Sequence, residues 1–230
     1  MNKQTSDVSH EKDIHNVISS ARDGGFFLPD RNRMSASKPD QPEVTIALDA
    51  ERMGAAIRRI AQEICDSHPD IASVALLGIL RRGRPLADRI AAEIESMVHA
   101  RPLVGSLATT LYRDDLRSGK IPAPMGANDA THFDFNLDGR HVILVDDVLS
   151  TGRTIRAALD EIMDYGRPKW IRLACLVDRG LRELPIQPDY CGWTIASQPQ
   201  DHVSVRMREN DGEDAVLFEH VPQPQATEEG

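Results

Sequence analysis

The stretch His141–Thr154, HVILVDDVLSTGRT, sets two carboxylates, Asp146 and Asp147, close to three hydroxyls, Ser150, Thr151 and Thr154, with Gly152 among them. Gly152 lets the backbone turn sharply and approach a ligand closely. A helix starting here would aim free N–H groups and its positive dipole end into the same loop. Hydroxyls, amides and dipole together make a cradle for a phosphate. Asp146 and Asp147 would repel that phosphate, but they can accept hydrogen bonds from sugar hydroxyls or assist a cation-bound sugar. A phosphate cradle beside a diol acceptor fits a ribose 5-phosphate. The plainer alternative is an ordinary helix N-terminus capped by Thr151 or Thr154. Two aspartates closing a five-residue apolar run weigh against it. The segment is neither a GxxxxGK[ST] phosphate loop nor a GxGxxG fingerprint.

Such a loop needs elements to hold it. HVILV reads as a buried strand that ends at the aspartates, and a helix is predicted from about Thr154 to Tyr165, stopped by Gly166. Upstream, Met53, Ile57, Ile60, Ala61 and Ile64 recur at helical spacing, with Asp49 as N-cap and Pro69 just beyond the end. SVALLGI (73–79), LVGSLATTLY (103–112) and WIRLACLV (170–177) read as strands. Leu86, Ile90, Ile94 and Val98 predict another amphipathic helix behind Pro85. Shorter β segments are expected near Tyr190–Ile195, Val203–Met207 and Val216–Phe218. Alternating helices and continuous apolar strands predict an α/β fold with a mainly parallel central sheet and helices on both faces. In such sheets ligands bind beyond the carboxyl ends of the strands. That rule gathers four loops: LRRGR, YRDDL, DDVLSTGRT and DRG.

The 230 residues suit one domain with extensions. Residues 1–43 read as a polar, flexible arm, in which Phe26 and Phe27 could dock elsewhere. Residues 44–220 read as the folded domain and 221–230 as a polar tail. The net charge of −9 argues against broad nonspecific nucleic-acid binding. Three cysteines without a CxxC pair support neither a disulfide framework nor a zinc site. With no secretory signal and no membrane span, a cytoplasmic setting is expected.

VILVDDVLSTGRT resembles the phosphoribosyl-pyrophosphate (PRPP) motif of type I phosphoribosyltransferases. TLYRDDL, VILVDDVLSTGRTIRAALDEIMDYGRP and LVDRGLRELPIQPDYCG are similar, more narrowly, to the bifunctional pyrimidine-operon regulator/uracil phosphoribosyltransferase family. The resemblance spans roughly Ala50 to Phe218. It implies a type I phosphoribosyltransferase-like fold with a small C-terminal β hood. It also implies transfer of the phosphoribosyl group from PRPP to uracil, giving UMP and pyrophosphate with Mg2+, through an oxocarbenium-like transition state. On this resemblance Asp146 and Asp147 hold the ribose hydroxyls. Val148 follows them, and Leu149, Ser150, Thr151, Gly152, Arg153 and Thr154 wrap the 5-phosphate. Arg82 and Gly83 lie in the pyrophosphate loop, and Arg113 reaches the same leaving group. Asp178 positions Mg2+ through water, and Arg179 lies by the base. The segment from Arg113 to Arg140 is expected to be a lid. A homo-oligomer and contact with messenger RNA are also implied.

Plainer roles compete at several positions. Arg81, Arg82 and Arg84 could form a solvated basic turn, and Arg113, Asp114 and Asp115 could form surface ion pairs. Asp178 could cap a turn, and His141 reads as structural. The chain also departs from the family pattern. Leu80-Arg81 replaces a polar residue and a Thr or Ser before the Arg82-Gly83 pair. Arg58, Gln62, Leu181, Gln187 and Trp193 stand where RNA-binding members commonly carry Thr, His, His, Arg and Lys. Arg58, Arg59 and Arg182 could form a replacement patch. Ala196-Ser197-Gln198 stands for a Pro-Thr-Ser segment beside the base. Two alternatives therefore remain: a PRPP- or UMP-binding regulator with little catalysis, or a phosphoribosyltransferase for another base.

Overall fold

The structure is a computed structural model; it describes residues 42–109 and 130–222. Phe26, Phe27, Arg113, Asp114, Asp115 and much of the expected lid lie outside those residues. The elements run β1 (Glu43–Leu48), α1 (Ala50–Ser67), β2 (Val74–Ile79), α2 (Gly83–Val98), β3 (Leu103–Leu107), β4 (His141–Leu149) and α3 (Arg153–Tyr165). Then come β5 (Trp170–Asp178), β6 (Tyr190–Thr194), β7 (His202–Arg206), α4 (Arg208–Asp211) and β8 (Ala215–His220).

Five strands form a parallel sheet in the order β3-β2-β4-β5-β6. Side chains alternate across it. Leu76, Ile143, Val145, Ala174 and Leu176 meet α1, α2 and the small sheet on one face. Leu77, Val142, Leu144, Leu173 and Cys175 meet Ile155, Ala158 and Ile162 of α3 on the other. The sheet is thus covered on both faces, which suits continuous apolar strands.

Helix α1 begins where Asp49 accepts a hydrogen bond from the Arg52 backbone N–H at 2.9 Å. Met53, Ile57, Ile60, Ala61 and Ile64 form its buried face, joined by Ala56. Helix α2 buries Leu86, Ile90 and Ile94, but Val98 is 43% exposed, against the sequence expectation. Each four-residue step advances roughly 40° around the helix, so by the last turn the stripe has rotated off the sheet.

Three strand boundaries also differ from the sequence reading. β4 continues through Asp146 and Asp147 to Leu149, because β5 runs beside it and pairs Asp146 with Cys175 and Leu149 with Asp178. β3 stops at Leu107; the Ala108 N–H turns instead to the Thr131 hydroxyl at 2.9 Å. β1 has no counterpart in the sequence reading, whose first element is the helix capped by Asp49. It pairs antiparallel with β8, at the far end of the chain, and β8 pairs with β7. The hood is this three-stranded sheet, built from both ends of the domain. Among the described residues no helix is long and apolar enough to cross a membrane.

Candidate functional site

Three of the four loops singled out in the sequence follow β2, β4 and β5 at the carboxyl edge of the sheet; YRDDL lies outside the described residues. The first turn of α2 rests directly on backbone. A Cβ on Gly83 would stand 2.4 Å from the Val145 carbonyl oxygen, and one on Gly78 would stand 2.4 Å from the Gly83 carbonyl oxygen. Glycine is required there by contact. The Leu80–Arg81 peptide is cis, and Arg81 is exposed. Arg82 reaches across to Asp211 of α4 at 3.1 Å, tying this loop to the hood.

The loop after β4 turns at Gly152, whose φ of 90° lies in the left-handed region that favours glycine. Gly152 is itself the N-cap of α3, so the N-cap position carries no side chain. Neither Thr151 nor Thr154 therefore stands at the N-cap position, though Thr151, one residue earlier, meets the first helical N–H. The Thr151 hydroxyl accepts from the Arg153 backbone N–H at 3.3 Å. The first turn of α3 and its dipole end face the same loop as the Ser150, Thr151 and Thr154 hydroxyls. Asp146 is buried, and its Oδ1 accepts from the Asp147 N–H at 3.1 Å. Asp147, Val148, Ser150, Thr151 and Thr154 are half-buried, whereas Leu149 is buried.

The segment after β5 braces this loop. The backbone N–H groups of Glu183 and Leu184 donate to the Thr151 carbonyl at 3.0 and 3.2 Å, and that of Arg179 donates to the Leu149 carbonyl at 3.0 Å. Arg182 donates to the carbonyls of Ser150 at 2.8 Å, Gly180 at 3.0 Å and Ile186 at 2.7 Å. It also pairs with the Asp178 carboxylate at 2.6 Å, both side chains being about 15% exposed. Arg182 is therefore an internal brace, which corrects its expected place in an exterior basic patch with Arg58 and Arg59. Arg59 is tied as well: it donates to the Cys191 carbonyl at 2.9 Å and to that of Gly192. Arg153 turns to Glu183, at 2.5 Å.

Arg179 points away from the phosphate loop. Its guanidinium donates to the Ser197 hydroxyl at 3.2 Å and to the Gln198 and Asp201 carbonyls at 3.1 and 2.8 Å. Asp201, 2% exposed, accepts from the Gln198 N–H at 2.6 Å and pairs with His220 at 2.8 Å. The 196–201 segment beside the expected base position is thus organised by an aspartate the sequence reading did not single out. An isolated Asp between a Gln and a His offers no periodic signal that it is buried.

Among the described residues no group of three or more His, Cys, Asp or Glu is gathered to hold a metal ion. Asp178 accepts from the Gly180 N–H at 2.9 Å and from Arg182, so it does close a turn. A carboxylate offers about four lone-pair sites, so Asp178 keeps acceptor capacity for water. This fits Mg2+ carried by a polyphosphate ligand and touched through water, but not an all-protein metal cage.

Residues 44–209 match the phosphoribosyl transferase domain family. A bifunctional protein PyrR of a Roseiflexus strain is 50% identical over 165 residues, covering 72% of this chain and 88% of the relative. That of Clostridioides difficile is 45% identical, covering 74% and 95%. The chain belongs to the PyrR family of phosphoribosyltransferases. Among solved structures, a hypoxanthine-guanine phosphoribosyltransferase from Bacillus anthracis aligns with a TM-score of 0.53 at 16% identity, over 77% of this chain and 99% of the other. The hypoxanthine phosphoribosyltransferase of Trypanosoma cruzi aligns with a TM-score of 0.53 at 16% identity, over 77% and 97%. At this identity the structures establish a shared fold. The two aspartates, the glycine-capped loop and the Arg82-Gly83 turn lie at the carboxyl edge of one sheet.

Proposed function

We propose that this protein joins C1 of the ribose of PRPP to N1 of uracil, releasing pyrophosphate and forming UMP, and that it also acts as a nucleotide-sensing regulator of pyrimidine genes. The observation that carries the enzymatic reading is the placement of Asp146 and Asp147 at the end of β4, directly before the glycine-capped start of α3. In this reading Asp146 and Asp147 accept hydrogen bonds from the ribose hydroxyls. Leu149 to Thr154 enclose the 5-phosphate with backbone N–H groups and hydroxyls. Arg82 and Gly83 border the pyrophosphate, and Arg113 reaches it from the segment beyond β3. Arg179 holds the 196–201 segment beside the base.

As the C1–oxygen bond breaks, positive charge grows on the sugar and negative charge on the leaving pyrophosphate. The fixed carboxylates of Asp146 and Asp147 suit the first, and the arginines suit the second. Mg2+ bound to PRPP would neutralise the leaving group further, with Asp178 touching its water shell. The new bond forms between uracil N1 and C1, and the N1 proton leaves to solvent. The PyrR relatives, named bifunctional, support the regulatory reading. Messenger RNA would then meet the exterior of α1 around Arg58 and Gln62, in a homo-oligomer. Free thiols at Cys65, Cys175 and Cys191 support a cytoplasmic setting.

A nucleobase panel with PRPP and Mg2+, read by pyrophosphate release, tests the reading. Uracil alone should support turnover. Turnover with hypoxanthine or guanine instead would reassign the base, and no turnover with any base would leave the regulator alone.

A further inference from the structure

A second cluster lies at the opposite, amino edge of the sheet. Trp170, the first residue of β5, stacks on His141, the first residue of β4, with ring centroids 4.5 Å apart and planes at 15°. His68, just past α1, stacks on the same indole at 4.7 Å and 29°. The two imidazoles are 6.0 Å apart. Rings stacked on opposite faces of an indole would be separated by roughly 7 Å or more, so both imidazoles lie on one face, side by side. The Arg172 guanidinium sits 4.8 Å from the centre of the same indole. It donates to the Tyr190 hydroxyl at 2.7 Å and contacts His68 Nε2 at 3.1 Å.

This half-buried guanidinium has neutral company: a phenol, an imidazole and an indole. Among the described residues no carboxylate pairs with it. A cation drawn out of water is ordinarily compensated by an anion. The cleft around it, about 260 Å³, is lined also by Lys169, which adds a cation, and by Asp70, which adds one carboxylate at the rim. Burial first, then the Arg172 and His141 charges, hold the His68 imidazole below its ordinary range, as expected of a site with excess positive potential.

We propose that this cleft binds a small oxyanion of the phosphate class, held by Arg172, Lys169, His68 Nδ1 and His141 Nε2, since His68 Nε2 already accepts from Arg172 at 3.1 Å and His141 Nδ1 meets the Ser73 hydroxyl at 3.0 Å. Donors arrive from the end of α1, from β4 and from β5, so a tetrahedral anion with oxygens in several directions uses them better than a planar carboxylate. The volume lies below the 300–1,000 Å³ common for drug-sized ligands, which favours a free anion or a single phosphoryl group. The site is separate from the ribose-phosphate loop: His141 and Asp146 are five residues apart along β4, roughly 17 Å.

Trp170 reports on the cleft. The chain has two tryptophans, so in Trp193→Phe the indole fluorescence comes from Trp170 alone. In that background, inorganic phosphate and UMP are titrated at constant ionic strength, with chloride as the control. A saturable change with phosphate and none with chloride is expected. Arg172→Met should weaken it by about tenfold. The exposed Lys169→Ala, which cannot disturb the core, should weaken it a few-fold. A response to UMP at lower concentration than to phosphate, weakened in Arg172→Met, assigns the anion to a nucleotide and supports the site. No saturable response, a response unchanged in both variants, or one that follows protein concentration rather than phosphate overturns the proposal.

Discussion

Arg182 spans the gap between the phosphate loop and the segment after β5, with three carbonyl oxygens and one carboxylate around a single guanidinium. Removing it strands Asp178, a nearly buried charge, and frees Ser150. Arg182→Ala should therefore cost about 3 kcal/mol of stability in urea unfolding, and it should raise the KM for PRPP more than it lowers kcat. Arg182→Lys should restore part of the stability but less of the KM, because an ammonium can answer Asp178 without reproducing the planar fork. Equal KM values in the wild type and both variants would refute the bracing role. The sequence showed an arginine four residues after an aspartate in a polar loop. Nothing in that spacing reveals which carbonyls surround it, so an exterior patch and an internal brace looked alike. A second residue-scale expectation concerns Cys191, paired with Cys175 across β5 and β6. A hydrogen bond from Cys175 lowers the Cys191 thiol to about 7, against the opposing effect of burial. The Cys175 thiol is pushed up by the same bond and by burial, and that of Cys65 is raised by burial and Asp66. Iodoacetamide should modify Cys191 with a midpoint near pH 7, ahead of Cys65, and should spare the buried Cys175, as mapped by mass spectrometry. Modification of Cys65 first would contradict this.

At the scale of elements, the hood is fastened to α2 by charge. Arg89 pairs with Glu209 at 2.5 Å and Asp214 at 2.6 Å, and Arg82 pairs with Asp211 at 3.1 Å. The Arg89 hydrogen bond holds Glu209 below the usual carboxylate range. Burial would raise Asp214 and Asp211, but hydrogen bonds and the nearby arginines outweigh it and lower both. Carboxylates depressed in the fold contribute stability that is present above their ordinary value of about 4 and is lost as pH falls through the lowered folded values. Hydrogen exchange in α4 and β7 should therefore accelerate below about pH 4 while β4 and β5 stay protected; simultaneous loss in all four would argue against a separately docked hood. The parallel sheet was legible because β2, β4 and β5 are apolar on both faces and separated by helical spacing. The hood was only half legible. Its β8 strand carries the apolar run Ala215–Phe218, but β1 has a single short segment whose partner lies at the other end of the domain, and local pattern cannot announce such a pairing. β4 overran its expected end for a related reason: the ladder with β5 accommodates two aspartates that single-strand reasoning treats as a stop.

Across the whole molecule, one parallel sheet presents different chemistry at its two edges. The carboxyl edge gathers Asp146, Asp147, the glycine turn and the Arg82-Gly83 contact; the amino edge gathers Trp170, Arg172 and two imidazoles. The first was legible because its residues are contiguous and their types match a phosphate beside a diol. The second was not, since His68, His141 and Trp170 come together only when the ends of α1, β4 and β5 are aligned. Fold alone does not choose the base, for hypoxanthine phosphoribosyltransferases share this architecture. In the proposed function the aspartate pair and the turn after it form the PRPP site. Equilibrium titration of PRPP with Mg2+ into the wild type and into Asp146→Asn plus Asp147→Asn tests it most directly, with thermal unfolding run in parallel. The amides keep the shape of the strand end but lose the charge and half of the acceptor capacity that ribose hydroxyls require. The account predicts saturable binding by the wild type and a loss of at least about a hundredfold in the double variant at near-unchanged unfolding temperature. Undiminished PRPP binding by a folded double variant would contradict it.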